Sequence, residues 1–168
     1  DALALLGKYD LIVDGSDNFE TKFFINDVCL MLNKIWIYGS VSRFEGHIST
    51  FGFPEGSCYR CLFSKPPRSN IENCAEQGVL GSVSSALGCL QALEAQKVLV
   101  GREHFSLKNQ STLKVYDFEN DSLKLLQIPR RPNCMCTHPE QIELQKQTSH
   151  PACDLMSSVV DITWDQYH

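Results

Sequence analysis

The sequence has little positive charge and no long apolar run. It contains 15 Lys and Arg against 20 Asp and Glu, which gives a formal net charge of −5 over 168 residues. A nucleic-acid-binding surface normally needs a basic stripe, so the composition argues against a nucleic-acid partner. The most apolar stretch, around Val79 to Leu99, is interrupted by hydroxyl, amide and charged side chains, so no helix is expected to cross a membrane.

Two phosphate-binding motifs are also missing. Neither G-x-G-x-x-G nor G-x-x-x-x-G-K-[ST] occurs in the chain, although such loops bind the phosphates of many nucleotides. If the protein binds a nucleotide, its phosphate loop therefore lies outside this sequence. The first predicted strand comes soon after residue 1 and is typical of a strand inside a parallel sheet. We therefore expect a fragment that starts midway through a nucleotide-binding α/β fold.

Eight cysteines are present, and four of them form two close pairs, Cys58-Tyr-Arg-Cys61 and Cys134-Met-Cys136. Two such pairs separated by a long stretch of chain are typical of one zinc ion held by four thiolates, which would stabilise the fold by closing a long loop. The alternative is four buried or incidental thiols, since cysteine is often buried without a ligand. A disulfide framework is disfavoured, because the chain has enough apolar residues for a core and opens without a signal peptide. We expect a soluble cytoplasmic protein.

Strand and helix patterns alternate in the first part of the chain. Residues 9–14 predict a short buried strand, residues 15–18 a turn, and residues 19–33 a helix. Asp17 and Glu20 have the spacing of a capping box at the start of this helix. Its apolar face is predicted to comprise Ile25, Val28, Cys29 and Leu32. Its polar residues that are predicted to point elsewhere are Lys22, Asn26 and Asn33.

The remaining elements follow the same kind of pattern. Strands are predicted at 35–40 and 46–53, and a hairpin at 112–118 and 122–128. A helix is predicted at 82–100. Its first half is apolar or small nearly all round, so it is expected either to be buried or to pack against a second subunit.

A candidate site lies where the first strand ends. In open α/β sheets ligands bind beyond the carboxyl ends of the strands, and Asp17 and Asn18 fall in such a turn, just before a helix. A carboxylate there can hold a metal–phosphate, and the amide can bond a base or ribose. Helix caps are the simpler interpretation of both residues.

Four stretches together resemble the ThiF/MoeB/HesA family, the E1-like adenylyltransferases that activate ubiquitin-like sulfur-carrier proteins. The stretches are Asp14-Gly-Ser-Asp17-Asn18 with Thr21 and Asn26-Asp27, Cys58-Tyr-Arg-Cys61-Leu-Phe, Pro66-Pro67 followed by Asn73-Cys74-Ala-Glu-Gln-Gly78-Val-Leu-Gly81, and Leu90-Gln-Ala-Leu-Glu94-Ala-Gln-Lys97. The resemblance covers roughly residues 1–136. It implies the C-terminal half of a Rossmann-like adenylyltransferase fold with a zinc-bound cysteine loop, most similar to the subgroup that carries a rhodanese domain.

The resemblance also implies a reaction and its residues. The family binds Mg²⁺ and ATP, and the C-terminal glycine carboxylate of the carrier attacks the α-phosphate to give an acyl-adenylate and pyrophosphate. Asp17 matches the aspartate near Mg–ATP, and Asn18 lies beside it at the nucleotide. Cys74 matches a loop cysteine that can form a thioester or persulfide with the carrier, the alternative being a spectator thiol. The four metal ligands would be Cys58, Cys61, Cys134 and Cys136.

The chain departs from the family at three points. The second cysteine pair has one intervening residue where the family usually has two, so either the loop adapts or His138 replaces a thiolate. Lys22 stands where the family commonly has Arg, which puts any role for it in doubt. The phosphate loop and its neighbouring Arg and Lys would lie N-terminal to Asp1, so this chain alone is expected to show no adenylation activity.

The domain expectation is an adenylyltransferase part at 1–137, a linker at 138–158 and the possible start of a rhodanese-like domain at 159–168. A homodimer is expected for the intact protein, as in the family. Thiamin, molybdopterin and tRNA thiolation remain open as pathways. The alternatives are a zinc-stabilised, non-catalytic interaction module, for which the cysteine pairs alone suffice, and half of an NAD-dependent enzyme, which lacks a dinucleotide fingerprint.

Overall fold

A computed structural model of the chain describes residues 1–65, 78–101 and 112–144. Its α-helices are α1 (Ala2–Leu6), α2 (Phe19–Met31), α3 (Tyr59–Leu62) and α4 (Gly81–Leu99). Its strands are β1 (Leu11–Val13), β2 (Ile35–Ser42), β3 (Glu45–Phe51), β4 (Thr112–Asp117) and β5 (Ser122–Gln127). Two 3₁₀ turns, Met135–Thr137 and Pro139–Gln141, close the described part. The predicted helices and strands are all found, with ends shifted by a few residues.

The strands form one mixed sheet in the order β1-β2-β3-β4-β5. β1 pairs with β2 in parallel, and the other pairs are antiparallel. β1 and β2 run in the same direction, and β1 ends opposite Ile37, so the chain leaves β1 beside the middle of β2. The backbone amide of Asp14 extends that pairing by donating to the Ile37 carbonyl at 3.0 Å. The α/β class predicted from the sequence is confirmed.

Tyr59 lies at the centre of the larger core. It is fully buried, and its ring centroid lies 5.0 Å from that of Phe23 and 5.2 Å from those of Tyr38 and Phe63. Such aromatic pairs add to the free energy of burial. Since Tyr59 sits between the cysteines of the first pair, this core fixes the position of that pair.

Helix α2 differs from its sequence prediction on its polar side. Lys22 and Asn26, predicted to point away from the core, are 3% and 0% exposed. Both side chains can be buried because other elements supply their hydrogen-bond partners: acceptors for Lys22 and a backbone donor for Asn26. The cap also differs: Asn18, not Asp17, is the N-cap residue, and its side chain accepts from the Thr21 amide.

Helix α4 is buried on one face only, so of the two alternatives predicted for its first half, complete burial within this chain is not found. Its buried residues are Val83, Leu87, Gln91 and Glu94, and this face packs on β1, β2 and β3. Leu93 and Leu99 on the remaining surface are 45% and 65% exposed, and Cys89 is exposed. Packing of that surface against a second subunit stays a prediction. Among the described helices, none is both long and apolar enough to span a bilayer.

Candidate functional site

A cavity of ≈ 360 Å³ opens at the carboxyl end of β1, beside the middle of β2. Its walls come from the turn after β1, the middle of β2 and the first half of α4. Asp17 lines it and is exposed. The structure therefore places this carboxylate at the sheet edge where the sequence predicted a site.

The turn after β1 is organised around Asp14. Its side chain is fully buried, and Oδ1 accepts hydrogen bonds from the Ser16 amide at 2.8 Å and from the Ser16 hydroxyl at 2.6 Å. Those bonds bend the chain back over the strand end, an arrangement that Asp side chains favour in turns. Asp17, the next residue, is thereby directed outward.

Asn18 has a capping role and lies beside the candidate carboxylate. Its Oδ1 accepts from the Thr21 amide at 2.8 Å, and its Nδ2 donates to Asp17 Oδ1 at 3.3 Å. The cap uses the amide oxygen of Asn18 and leaves the amide nitrogen directed at Asp17. A contact of Asn18 with a nucleotide stays a prediction.

Lys22 supports the turn that carries Asp17, a role that the sequence interpretation left in doubt. Its ammonium donates to Asp14 Oδ2 at 2.9 Å, to the Ser16 carbonyl at 2.7 Å and to the Gly39 carbonyl at 2.6 Å. It also lies 5.1 Å from the centroid of the Tyr38 ring, a favourable cation–π position. Helical periodicity gives no signal for this role, because the acceptors of Lys22 lie outside its own helix.

Gln91 holds the same two strands from the other side. Its Nε2 donates to the Asp14 carbonyl at 2.9 Å and also lies 3.4 Å from the Ile37 carbonyl. Gly39 makes this approach possible, since a Cβ on it would lie 2.3 Å from Gln91 Nε2. Side chains from α2 and α4 therefore hold the end of β1 and the middle of β2.

The second candidate site is a cluster of four cysteine sulfurs. Cys58, Cys61, Cys134 and Cys136 bring their Sγ atoms within 4.8 Å of one another. Three of the pairs are 3.5 Å, 3.6 Å and 3.9 Å apart. Four sulfurs bound at about 2.3 Å to one tetrahedral zinc ion would lie about 3.8 Å apart. The residues therefore fit a metal ion, and they join two segments 76 residues apart.

The fourth position of the cluster belongs to Cys136 rather than His138. The His138 side chain is 61% exposed and lies 3.4 Å from Glu140. The short second pair is accommodated by the 3₁₀ turn that begins at Met135. Of the two alternatives for this pair, the geometry favours the adapted loop.

Hydrogen bonds within the cluster shift the thiol pKa values in opposite directions, and those with Cys136 and Cys61 raise the pKa of Cys58. A hydrogen bond from the Cys136 thiol lowers the pKa of Cys61 well below its ordinary value. The Arg131 amide also donates to Cys61 Sγ at 3.5 Å. A buried thiolate among thiols is the kind of group that a metal ion stabilises.

Helix α2 connects the two sites. Asn26 Oδ1 accepts from the Tyr59 amide at 2.9 Å, and Asp27 accepts from Arg60 at 2.6 Å and 2.7 Å. The hydrogen bond to Asp27 raises the pKa of Arg60 above its ordinary value. The guanidinium also lies 4.8 Å from the centroid of the Phe23 ring. Helix α2 thus holds the turn after β1 through Lys22, and it holds the first cysteine pair through Asn26 and Asp27, one helical turn later.

Cys74 lies outside the described residues, so the structure does not place this sequence-predicted catalytic cysteine. Val79, shortly after it in the sequence, lines the cavity and forms a bridge with Arg43 at the β2–β3 hairpin. The linker and the possible next domain also fall mainly outside the described part.

A family model described as the ThiF family matches residues 1–138. The chain is 40% identical over 151 residues to the sulfur carrier protein adenylyltransferase of Thermus thermophilus, covering 85% of the chain and 55% of that protein. It is 37% identical over 135 residues to the adenylyltransferase and sulfurtransferase MOCS3 of Anopheles gambiae, covering 79% of the chain and 30% of that protein. The chain thus spans only part of these relatives.

Solved structures share the fold. The chain superposes on Escherichia coli MccB with a TM-score of 0.62 at 14% identity, covering 88% of the chain and 45% of MccB. The same protein solved with ATP gives a TM-score of 0.62 over 82% of the chain and 44% of MccB. At this level of identity the likeness establishes the fold alone.

Proposed function

This chain belongs to the ThiF family, and on that premise we propose that it serves the ATP-dependent adenylylation of the C-terminal glycine of a ubiquitin-like sulfur carrier. The partner is a ThiS- or MoaD-like protein, prepared in this way for sulfur transfer in molybdopterin, thiamin or tRNA-thiolation pathways. The observation that carries the proposal is the exposed Asp17 carboxylate at a strand-end cavity, directed there by the Asp14 turn.

The site acts mainly by positioning and by neutralising charge. The carboxylate of the carrier attacks the α-phosphate of ATP, the bond to pyrophosphate breaks, and an acyl-adenylate forms. Asp17 would hold Mg²⁺ on the phosphates, and Asn18 would bond the nucleotide through its amide. Fixed groups around a crowded polyanion lower the barrier because little reorganisation is left for the reaction itself.

Cys74 is proposed to accept the activated carrier in a later step, in which its thiolate attacks the acyl-adenylate to form a thioester and AMP leaves. If a donor persulfide has first transferred sulfane sulfur to Cys74, the resulting persulfide would attack in the same way, again with AMP as the leaving group. A thiolate is both a strong nucleophile and a good leaving group, which suits a transfer relay. The proposal rests on the family match of the sequence around Cys74. It also agrees with the position of Val79 at the cavity wall.

The cysteine cluster is proposed to hold a structural zinc ion through Cys58, Cys61, Cys134 and Cys136. The ion would supply no chemistry to the adenylation. It would hold the first cysteine pair and the residue 134–136 turn together, which the sulfur separations already favour.

The wider assignment follows the same family reasoning. We propose a cytoplasmic homodimer in which α4 contributes to the subunit contact through its exposed surface. Residues 138–158 would be a linker, and residues 159–168 would begin a rhodanese-like domain.

ATP–pyrophosphate exchange with a purified sulfur carrier tests the function. The chain should be assayed alone and joined to the N-terminal segment of a relative that carries the phosphate loop. We expect exchange from the joined protein only, and its loss in Asp17→Ala. Asp10→Ala, a change at an exposed aspartate outside the cavity, is the matched control. Pyrophosphate exchange by the chain alone, at the rate of the joined protein, would contradict the expectation that this chain alone is inactive. No exchange by the joined protein would favour a zinc-stabilised interaction module.

A further inference from the structure

Lys22 does not line the strand-end cavity, but it binds three residues that do. Its side chain is 4% exposed, and that of its partner Asp14 is 0% exposed. An ammonium group has three hydrogens to donate, and here three acceptors lie within 2.9 Å. Removing one partner of such a buried, hydrogen-bonded pair is costly, because it leaves the other charge uncompensated.

All three acceptors belong to residues that line the cavity. The Gly39 carbonyl comes from β2, and the Ser16 carbonyl comes from the residue immediately before Asp17. Ser16 is held on both sides, since its amide and hydroxyl donate to the carboxylate that Lys22 also binds. The position of Asp17 therefore depends on bonds made by a side chain that does not reach the cavity.

We infer that Lys22 is a positioning residue, which sets the orientation of the Asp14–Asp17 turn and so the approach of the Asp17 carboxylate to a metal–phosphate. This inference rests on the proposed function for its ligand. Loss of the ammonium would leave Asp14 charged and buried. The cheapest relief is for the turn to open and admit water to Asp14, which displaces Asp17. Since Gln91 still holds the Asp14 carbonyl from α4, the disturbance is expected to stay in the turn.

Four variants of the joined protein described above test the inference. Lys22→Met removes the charge at similar length, and Lys22→Met with Asp14→Asn also removes the charge left behind. Lys22→Arg keeps the charge and several donors. Lys8→Met changes an exposed lysine elsewhere and is the matched control.

Two readouts are compared, of which the first needs no substrate. In Lys22→Met we expect amide hydrogen exchange at residues 14–18 to accelerate at least about tenfold, while exchange in β3 and β4 stays at the control rate. We also expect the Mg²⁺ concentration for half-maximal pyrophosphate exchange to rise by about tenfold or more, since small misplacements of a metal ligand are costly. Lys22→Arg should restore both within about threefold. A merely structural role would reduce the amount of folded protein without moving the Mg²⁺ dependence.

The outcomes separate this inference from the proposed function. An unchanged rate of amide hydrogen exchange at residues 14–18 in folded Lys22→Met overturns the inference. An unchanged Mg²⁺ dependence of pyrophosphate exchange, in a variant whose turn has opened, also overturns it. If Lys22→Met does not fold, the double variant decides, and general unfolding of that variant also overturns it. If the unsubstituted joined protein shows no pyrophosphate exchange but the turn opens as expected, the proposed function fails, while control of the turn by Lys22 stands.

Discussion

The side-chain oxygen of Asn26 accepts a hydrogen bond from the backbone amide of Tyr59 at 2.9 Å. Asn26 is 0% exposed, and Tyr59 stands inside the first cysteine pair. The Tyr59 amide lies in the first turn of the short helix α3, where backbone amides have no acceptor within the helix. The hydrogen bond to Asn26 supplies that acceptor. Helix α2 therefore acts as the cap of the cysteine-bearing helix.

Asn26→Ala should lower the free energy of unfolding by about 1–3 kcal/mol, because it leaves the buried Tyr59 amide without an acceptor. It should also weaken metal retention, since the Cys58–Cys61 turn loses its support. Urea denaturation and a chelator titration measure the two effects. Gln96→Ala on the exposed side of α4 is the control and should change stability by no more than about 0.5 kcal/mol. Equal stability of the Asn26 and Gln96 variants would show that the cap is dispensable.

Metal content gives the second prediction. The purified chain should hold about one zinc ion, and Cys134→Ser should lose it, because a tetrahedral structural site needs all four ligands. Cys89→Ser, a change at an exposed cysteine outside the cluster, should leave the metal content unchanged. Elemental analysis of the three proteins decides the matter, and absence of metal from the unsubstituted chain would remove the zinc site.

The metal should also make stability depend on pH. Thiolates bind the ion, and protons compete with it for them, so lowering the pH should release zinc and destabilise the fold together. Thermal unfolding followed from pH 8 downward, with zinc release followed by a chromogenic chelator, should show the two changes at the same pH. Zinc release well before any loss of stability would argue against a structural role.

The cysteine cluster could be predicted from the sequence because its signal is local. Thiol ligands at short spacing imply a metal site whatever fold surrounds them, and the structure brings the four sulfurs together. The choice between Cys136 and His138 could not be made in the same way. It depends on the backbone path of the turn after Cys134, which the spacing alone leaves open.

The errors at Lys22 and Asn26 have a common physical cause. Helical periodicity reports which side of α2 is polar, and it treats polar side chains as solvent-directed. Here the acceptors for Lys22 and the donor for Asn26 come from residues 39 and 59. A buried polar side chain is stable only with such partners. Partners that are distant in sequence do not affect the helical periodicity of α2, so the periodicity cannot predict them.

The cap of α2 shows how fine a distinction the sequence leaves undecided. Asp17 and Asn18 are adjacent, and both residue types cap helices well. The extended backbone at Asn18, with φ −131° and ψ 149°, gives the cap to Asn18. Because Asn18 caps the helix, the Asp17 carboxylate is not used as a cap and stays exposed at the cavity. The candidate role of Asp17 in binding a metal–phosphate therefore depends on the capping role of Asn18.

Glu94 gives a fourth test, because it links α4 to the sheet through Lys114. Its carboxylate is 4% exposed and lies 2.7 Å from both Lys97 and Lys114. Removing one member of a buried ion group leaves the remaining charges uncompensated, so Glu94→Ala should cost about 2–4 kcal/mol, towards the lower value because Lys97 is partly exposed. Glu140→Ala, which removes an exposed partner of His138, should cost no more than about 0.5 kcal/mol. Denaturant titrations that give equal losses for the two variants would contradict this role.

Cys29 and Cys89 should differ sharply in reactivity. Burial raises the pKa of the Cys29 thiol from 9.0 to about 12, with Asp14 adding to the effect, and the thiolate is the reactive form. Cys89 is exposed on α4. Brief treatment of the folded, metal-bound protein with iodoacetamide at pH 8, read by peptide mass spectrometry, should therefore label Cys89 and spare Cys29. Prompt labelling of Cys29 in protein that remains folded would show that the α2 face opens to solvent.

The same pKa shift has a sign that alkaline unfolding can check. Because the folded-state pKa lies above the unfolded value, the contribution to stability is complete below about pH 9 and is lost as the pH rises towards 12. A shift of three units corresponds to about 4 kcal/mol at most. The unfolding free energy of Cys29→Ala should thus fall less steeply between pH 9 and 11 than that of the unsubstituted chain, whereas Cys89→Ala should follow the latter. Parallel curves for all three proteins would mean that Cys29 ionises as readily in the folded state as in the unfolded one.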